Sequence, residues 1–155
     1  MFIYRLIHTI MLYLIPKGRW RAKYIKTFHI FKNMGNNCMV MFRKVPLYPK
    51  QISLGDNVWL ASGVTLSTHD AIHYMLMNMT GEEFNENIGT ITIGDNVFVG
   101  ANSVILPNVT IGDNTIIAAG SVVNKDIEGN GVYGGVPAKY LGSFDSFVEK
   151  RRLIK

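Results

Sequence analysis

The chain has 155 residues, 48% of them hydrophobic, which suits one domain with a sizeable core and leaves too little for a second globular unit. Its single cysteine, Cys38, excludes an intramolecular disulfide and a cysteine-based zinc cluster, and points to a reducing, cytoplasmic setting with Cys38 as a small buried hydrophobe. The net charge of +5 is unevenly spread: residues 1 to 55 hold ten Lys and Arg and no Asp or Glu, so this end is drawn to anions, and the lack of a recognition module argues against nucleic acid.

Residues 1–33 read as a basic helical segment. Phe2 to Ile15 is strongly apolar, with Arg5, His8 and Thr9 as a narrow polar stripe, and it stops at Pro16. At about 14 residues it falls short of the roughly 20 needed to span a bilayer, and no small-residue cleavage site follows, so neither a spanning helix nor secretion is expected. Trp20, Tyr24, Phe28 and Phe31 then mark an aromatic face among basic residues. Two roles fit this segment: a cap over an open end of the fold or a neighbouring subunit, or a helix pair lying on an anionic membrane.

Residues 34–142 carry a period of six. Leu54, Leu60 and Leu66 begin a first block of steps, and Ile93, Val99, Ile105, Ile111, Ile117 and Val123 begin a second. A helix repeats every 3.6 residues and an exposed strand every 2, so neither alone explains the pattern. Short strands stacked around a triangular parallel β-helix do, with each aliphatic side chain pointing inward. Gly55-Asp-Asn, Gly94-Asp-Asn and Gly112-Asp-Asn each follow an aliphatic residue directly, as expected at corners that need positive φ or a small side chain.

The period is lost over a loop, 67–90, and returns shifted by three. A long excursion in a strict solenoid is where function usually sits. It contains Thr68-His69-Asp70, His73, the methionines Met75, Met77 and Met79, and Gly81-Glu82-Glu83. His69 is the candidate general base, held by the last regular step beside the loop, whereas His73 reads as a packing residue. The methionines suit loop packing or a subunit contact. Residues 143–155 form a tail or short helix.

Several segments carry a resemblance to a known family. They are Val64-Thr-Leu-Ser-Thr-His69, Ile91-Thr-Ile-Gly-Asp-Asn-Val-Phe-Val-Gly100, Ile105-Leu-Pro-Asn-Val-Thr-Ile-Gly112, Ala118-Ala-Gly-Ser-Val-Val-Asn-Lys125 and Gly134-Gly-Val-Pro-Ala-Lys139. Through them the chain resembles the hexapeptide-repeat acyltransferases, in the branch of galactoside, maltose and polysaccharide O-acetyltransferases. The resemblance implies an all-β body wound as a left-handed parallel β-helix, a homotrimer, and active sites between neighbouring subunits. It implies His69 as catalytic base and Glu82 as the carboxylate that orients it, with Asp70 and Glu83 as rivals. On the donor side it implies acetyl-CoA, with the Ala101 backbone N–H facing the thioester oxygen, Ala119 passing the pantetheine arm, and Lys125 and Lys139 meeting phosphates. Phe98, also expected on the cofactor side, replaces the Trp common in this branch and keeps an aromatic wall without its indole N–H. Two acceptor-binding positions of relatives fall here near Met41 and Pro49, which cannot make the same hydrogen bonds, so a different acceptor or pose is implied.

The expected reaction is direct attack of a sugar hydroxyl on the thioester, with an imidazole, whose ordinary pKa is about 6.5, taking the proton. A basic, acid-free front end suits a cell-envelope or capsular polysaccharide unit as acceptor, with peripheral contact at an anionic inner membrane face. Alternatives are transfer to the amine of a nucleotide sugar or an antibiotic, and a non-catalytic scaffold. A metalloenzyme on the same coils would need three convergent His ligands, and only His69 and His73 lie outside the N-terminal helical segment, so no metal is expected.

Overall fold

The computed structural model describes residues 2–154. Three parallel sheets form the faces of a prism. The first contains Asn33–Met34, Ile52–Leu54, Ile91–Ile93 and Val109–Ile111; the second Met39–Val40, Trp59–Leu60, Val97–Val99, Thr115–Ile117 and Gly131–Gly134; the third Thr65–Leu66, Val104–Ile105 and Val122–Val123. The chain visits the faces in turn, so this is the parallel β-helix that the period of six predicts. An antiparallel strand, Lys139–Ser143, closes the second face against Gly131–Gly134.

The period builds the core because equivalent residues stack. Leu54 pairs with Ile93 and Ile93 with Ile111, Leu60 with Val99, and Leu66 with Ile105. All nine aliphatic residues that begin the steps are buried. At the corner between the first and second faces, the tripeptide divides its tasks. Asn57, Asn96 and Asn114 adopt φ of 56°, 56° and 52°, and their amides form a ladder with spacings of 3.0 and 3.1 Å. The aspartates accept backbone N–H groups from the preceding coil, as Asp95 does from Asp56 and Asp113 from Asp95, each at 2.7 Å. The glycine meets a different demand: a Cβ on Gly94 would lie 2.1 Å from Asp113 Oδ1.

The same contacts explain the shift in phase. Asp95 and Asp113 lie one coil apart and 18 residues apart in sequence, whereas Asp56 and Asp95, also adjacent, are separated by 39. The excursion therefore lengthens one coil by the difference and leaves the stack undisturbed.

Four helices decorate the prism: α1 (Phe2–Leu14), α2 (Gly18–Thr27), α3 (Ile72–Thr80) and α4 (Phe144–Arg152). The body is thus β but the chain is not all-β, and the excursion is not irregular. α3 forms within it, opened by Asp70, whose Oδ1 accepts the Ile72 N–H at 3.0 Å, and ended by Gly81 at φ 74°, whose N–H reaches the Met77 carbonyl. His73 is its buried residue, while Met75 and Met79 face solvent in the single chain.

At the opening of the prism, Arg21 ties three elements together. It is fully buried, and it donates from Nε to the Val40 carbonyl at 2.9 Å and from Nη1 to the Ile15 and Pro16 carbonyls at 2.7 and 3.2 Å. Burial, and then the nearby charge of Arg43, push its pKa below the ordinary arginine value. No carboxylate pairs with it among the described residues, so the carbonyls at the end of α1 carry the compensation. Arg21→Met keeps the stem and removes the donors. It is expected to cost about 2 kcal/mol, which thermal denaturation would register as a fall of roughly 4 to 8 °C.

Candidate active site

His69 leaves the third face just after Thr65–Leu66, where the regular coil ends. Its backbone is held on both sides: it bridges Ile88, the Gly89 N–H donates to the Thr68 carbonyl at 2.9 Å, and Ser67 Oγ donates to the His69 carbonyl at 3.2 Å. Thr68 Oγ1 donates to the Leu47 carbonyl, which brings the segment before Pro49 against the base of the excursion. The Tyr48 ring then stands edge-on to the imidazole, with centroids 5.6 Å apart and planes at 73°. His69 is half-buried, and its Nδ1 is fully enclosed with no hydrogen-bond partner among the described residues. A buried ring nitrogen without a partner is costly, and His73 Nδ1 and Trp59 Nε1 are enclosed without a partner in the same way.

Four acidic residues of the excursion were open to pair with that nitrogen, and the structure treats them differently. Asp70 is already engaged, accepting from Asn87 Nδ2 at 2.8 Å and from the Ile72 N–H, and these bonds hold its carboxyl below the ordinary aspartate range. Glu86 accepts the Tyr48 hydroxyl, and that hydrogen bond raises the phenol's pKa. Glu82 and Glu83 are exposed beyond α3, and no hydrogen bond joins either to His69 among the described residues. Tyr48 thus packs on His69 and Glu86 holds Tyr48, and sequence reasoning missed both. They lie 38 residues apart and outside the period, so no repeat pointed to them.

The Asp70–Asn87 clip gives a pH-dependent expectation. A carboxyl with a lowered native pKa contributes stability that is complete above the unfolded value of about 3.9, and loses it as pH falls through the native value. Amide protection around residues 70–74 and 87, taken relative to the intrinsic exchange rate at each pH, is therefore expected to fall on acidification through that window, while amides in the Ile105 to Ile117 coil keep theirs.

Lys125 and Lys139 come together. The Ala138 N–H donates to the Val122 carbonyl at 2.8 Å, which seats the closing segment beside the last coil. The two lysines line one cleft of about 290 Å³ with Tyr133 and Tyr140, whose rings meet edge-on at 5.4 Å. Lys125 belongs to the corner that follows the third face, as His69 does.

The chain's similarities to known proteins show its family. The family model for the bacterial transferase hexapeptide, six repeats, matches residues 90–125. Protein CapG of Staphylococcus aureus is 42% identical over 120 residues, covering 76% of this chain and 69% of CapG. The chain belongs to the hexapeptide-repeat acyltransferases. The galactoside O-acetyltransferase of Escherichia coli (strain K12) is also 42% identical, over 110 residues, 70% of this chain and 52% of that enzyme, so the chain spans about half of that relative. A galactoside acetyltransferase solved in complex with coenzyme A superimposes with a TM-score of 0.62 at 29% identity, covering 94% of this chain and 82% of the other.

In this acyltransferase the other residues expected at the site fall elsewhere. Ala101 and Ala119 stack at the corner that leads into the third face, where the Gly120 N–H donates to the Ala101 carbonyl at 2.8 Å. Gly100 and Asn102, on either side of Ala101, donate to Ile117 and Ser62, while the Ala101 N–H has no partner among the described residues. His69 and Ala101 therefore occupy opposite edges of the third face, and one chain does not bring them together. Phe98 lies on the outside of the second face between Trp59 and Ile116. It looks into a groove of about 510 Å³ beneath α4, lined also by Phe147 and Arg151, and not into the lysine cleft. Of the two shifted acceptor positions, Pro49 is buried, and Met41 is half-buried with its sulfur 3.5 Å from Arg21 Nη2.

Proposed function

We propose that this acyltransferase moves the acetyl group of acetyl-CoA to a carbohydrate hydroxyl, the acceptor being a cell-envelope or capsular polysaccharide unit. The observation that carries the reading is the shared corner: a histidine with an enclosed, unpartnered Nδ1 stands along the same edge as a cleft with two lysines. The coenzyme A complex of a relative of similar fold supports the donor, and CapG and the galactoside O-acetyltransferase support a carbohydrate-related acceptor.

In the proposed step His69 Nε2 takes the acceptor's hydroxyl proton as its oxygen attacks the thioester carbonyl. The tetrahedral oxyanion accepts the free Ala101 N–H, a kind of contact worth about 2.7 to 4 kcal/mol where such donors have been removed. The C–S bond then breaks, the ester is released, and the proton passes from the imidazole to the departing thiolate. Because His69 and Ala101 lie on opposite edges of a face, the reading includes a homotrimer in which each site takes one edge from each of two left-handed coils. Glu82 is the carboxylate proposed to orient His69, which requires the excursion to rearrange around the imidazole; unchanged turnover in Glu82→Gln would remove it from the mechanism.

Lys125→Ala and Lys139→Ala are each expected to raise KM for acetyl-CoA about three- to tenfold with little change in kcat, since each lysine meets phosphate and not the reacting atoms. The deciding experiment is thiol release from acetyl-CoA against free sugars, nucleotide sugars and lipid-linked glycans. Release that depends on a glycan hydroxyl establishes the reaction; release only with amines moves it to N-acetylation, and none with any acceptor leaves a scaffold.

A further inference from the structure

α1 is amphipathic in the sense opposite to an ordinary surface helix, whose polar face meets water. At about 100° per residue, Arg5, His8, Thr9 and Leu12 fill one arc of roughly 100°. This arc faces the protein. Arg5 Nε donates to the Val45 carbonyl at 2.9 Å, Thr9 Oγ1 accepts the Val45 N–H at 3.2 Å, His8 Nδ1 meets the Tyr24 hydroxyl at 2.7 Å, and Leu12 is fully buried. The other arc, about 200° wide, is exposed and uncharged, with Phe2, Ile3, Leu6, Ile7, Ile10 and Leu14 on it beside the amphipathic rings of Tyr4 and Tyr13. The polar contacts hold this arc outward as a fixed feature of the fold.

The surroundings of the helix are cationic. Lys17 follows it and lies 4.9 Å over the ring of Trp20, which is itself 55% exposed. Arg43 donates to the Tyr13 carbonyl, and Lys44 is exposed beside Val45, where α1 is anchored. No acidic residue occurs before Asp56. An exposed aromatic residue paired with lysine at the border of an apolar surface is the pattern of a membrane-interface anchor. α1 has 13 residues, about 20 Å of helix against a hydrocarbon core of about 30 Å, and no helix among the described residues is long and apolar enough to cross a membrane.

We propose that α1 lies in the plane of an anionic lipid bilayer, its apolar arc sunk among the headgroups and acyl chains and its polar stripe gripping the first coil. A fluid medium can enclose an arc wider than half the helix. The cationic rim complements lipid charge and has no acidic partner in the sequence before Asp56.

The test is flotation of the full chain with vesicles of phosphatidylcholine alone and with added phosphatidylglycerol, without donor or acceptor, so that it is separate from the acyl-transfer reading. Binding is expected with phosphatidylglycerol vesicles, severalfold weaker at high salt and in Lys17→Glu/Lys44→Glu, and lost by about tenfold or more in Ile7→Glu/Ile10→Glu. Ile7 and Ile10 are 53% and 50% exposed, so circular dichroism and solution mass of that variant are expected to match the wild type. Failure of the wild type to bind phosphatidylglycerol vesicles, or equal binding by Ile7→Glu/Ile10→Glu, overturns the proposal. So does a lower solution mass for that variant, which would make the arc a contact between copies.

Discussion

His69→Ala is expected to lower acceptor-dependent thiol release by about 10² to 10⁴ while coenzyme A binding stays within about twofold. The separation follows from placement. His69 ends a regular coil and is held through backbone bonds to Gly89 and a bridge to Ile88, none of which uses the imidazole. Removing the ring therefore leaves the coil intact, and Lys125 and Lys139 keep their cleft. A His69→Ala protein with wild-type turnover would exclude this residue as the base. A loss of both turnover and coenzyme A binding would instead show that the ring supports the cleft.

Gly100→Val is expected to destabilise the fold by about 3 kcal/mol or more, a fall of roughly 6 to 12 °C in melting temperature. A Cβ at this position would lie 2.5 Å from Ala119 N and 2.8 Å from Ala118 C and Ala119 Cα, all main-chain atoms of the next coil. That coil cannot step aside, because the Gly100 N–H donates to the Ile117 carbonyl at 2.8 Å and the strands leading into the corner are paired in register. Gly120→Ala is the matching control. It has open space around its Cβ but φ of 71°, so only the left-handed backbone opposes it, at about 1 kcal/mol. Calorimetry that ranked the two substitutions equally would contradict the close-stacking account. Activity should fall with Gly100→Val even in the folded fraction, since the Ala101 N–H is displaced with its neighbour.

The sequence alone determined the stack. A period of six places one aliphatic residue per short strand, and because each coil lies over the last, every such residue meets its own equivalent; all nine are buried. The same logic singled out His69, just after the last regular step, and the motifs drew attention to Lys125 and Lys139, which the fold sets in one cleft. Tertiary structure decided what depends on contacts between residues that no period relates. The Gly-Asp-Asn corners look alike in sequence, yet only stacking shows that Asn takes the positive φ while Gly55 and Gly94 yield space to the next coil's aspartate and Gly112 to the Glu128 main chain. α3 was hidden because Ile72, Tyr74, Met75 and Met79 face outward and leave a weak helical pattern. The Tyr48–Glu86 pair beside His69 forms only when the inserted excursion folds back on its coil. The polar stripe of α1 was visible as a pattern, but its direction was not. Periodicity separates the two sides of a helix, and only the bonds of Arg5 and Thr9 to Val45 tell which side faces the protein.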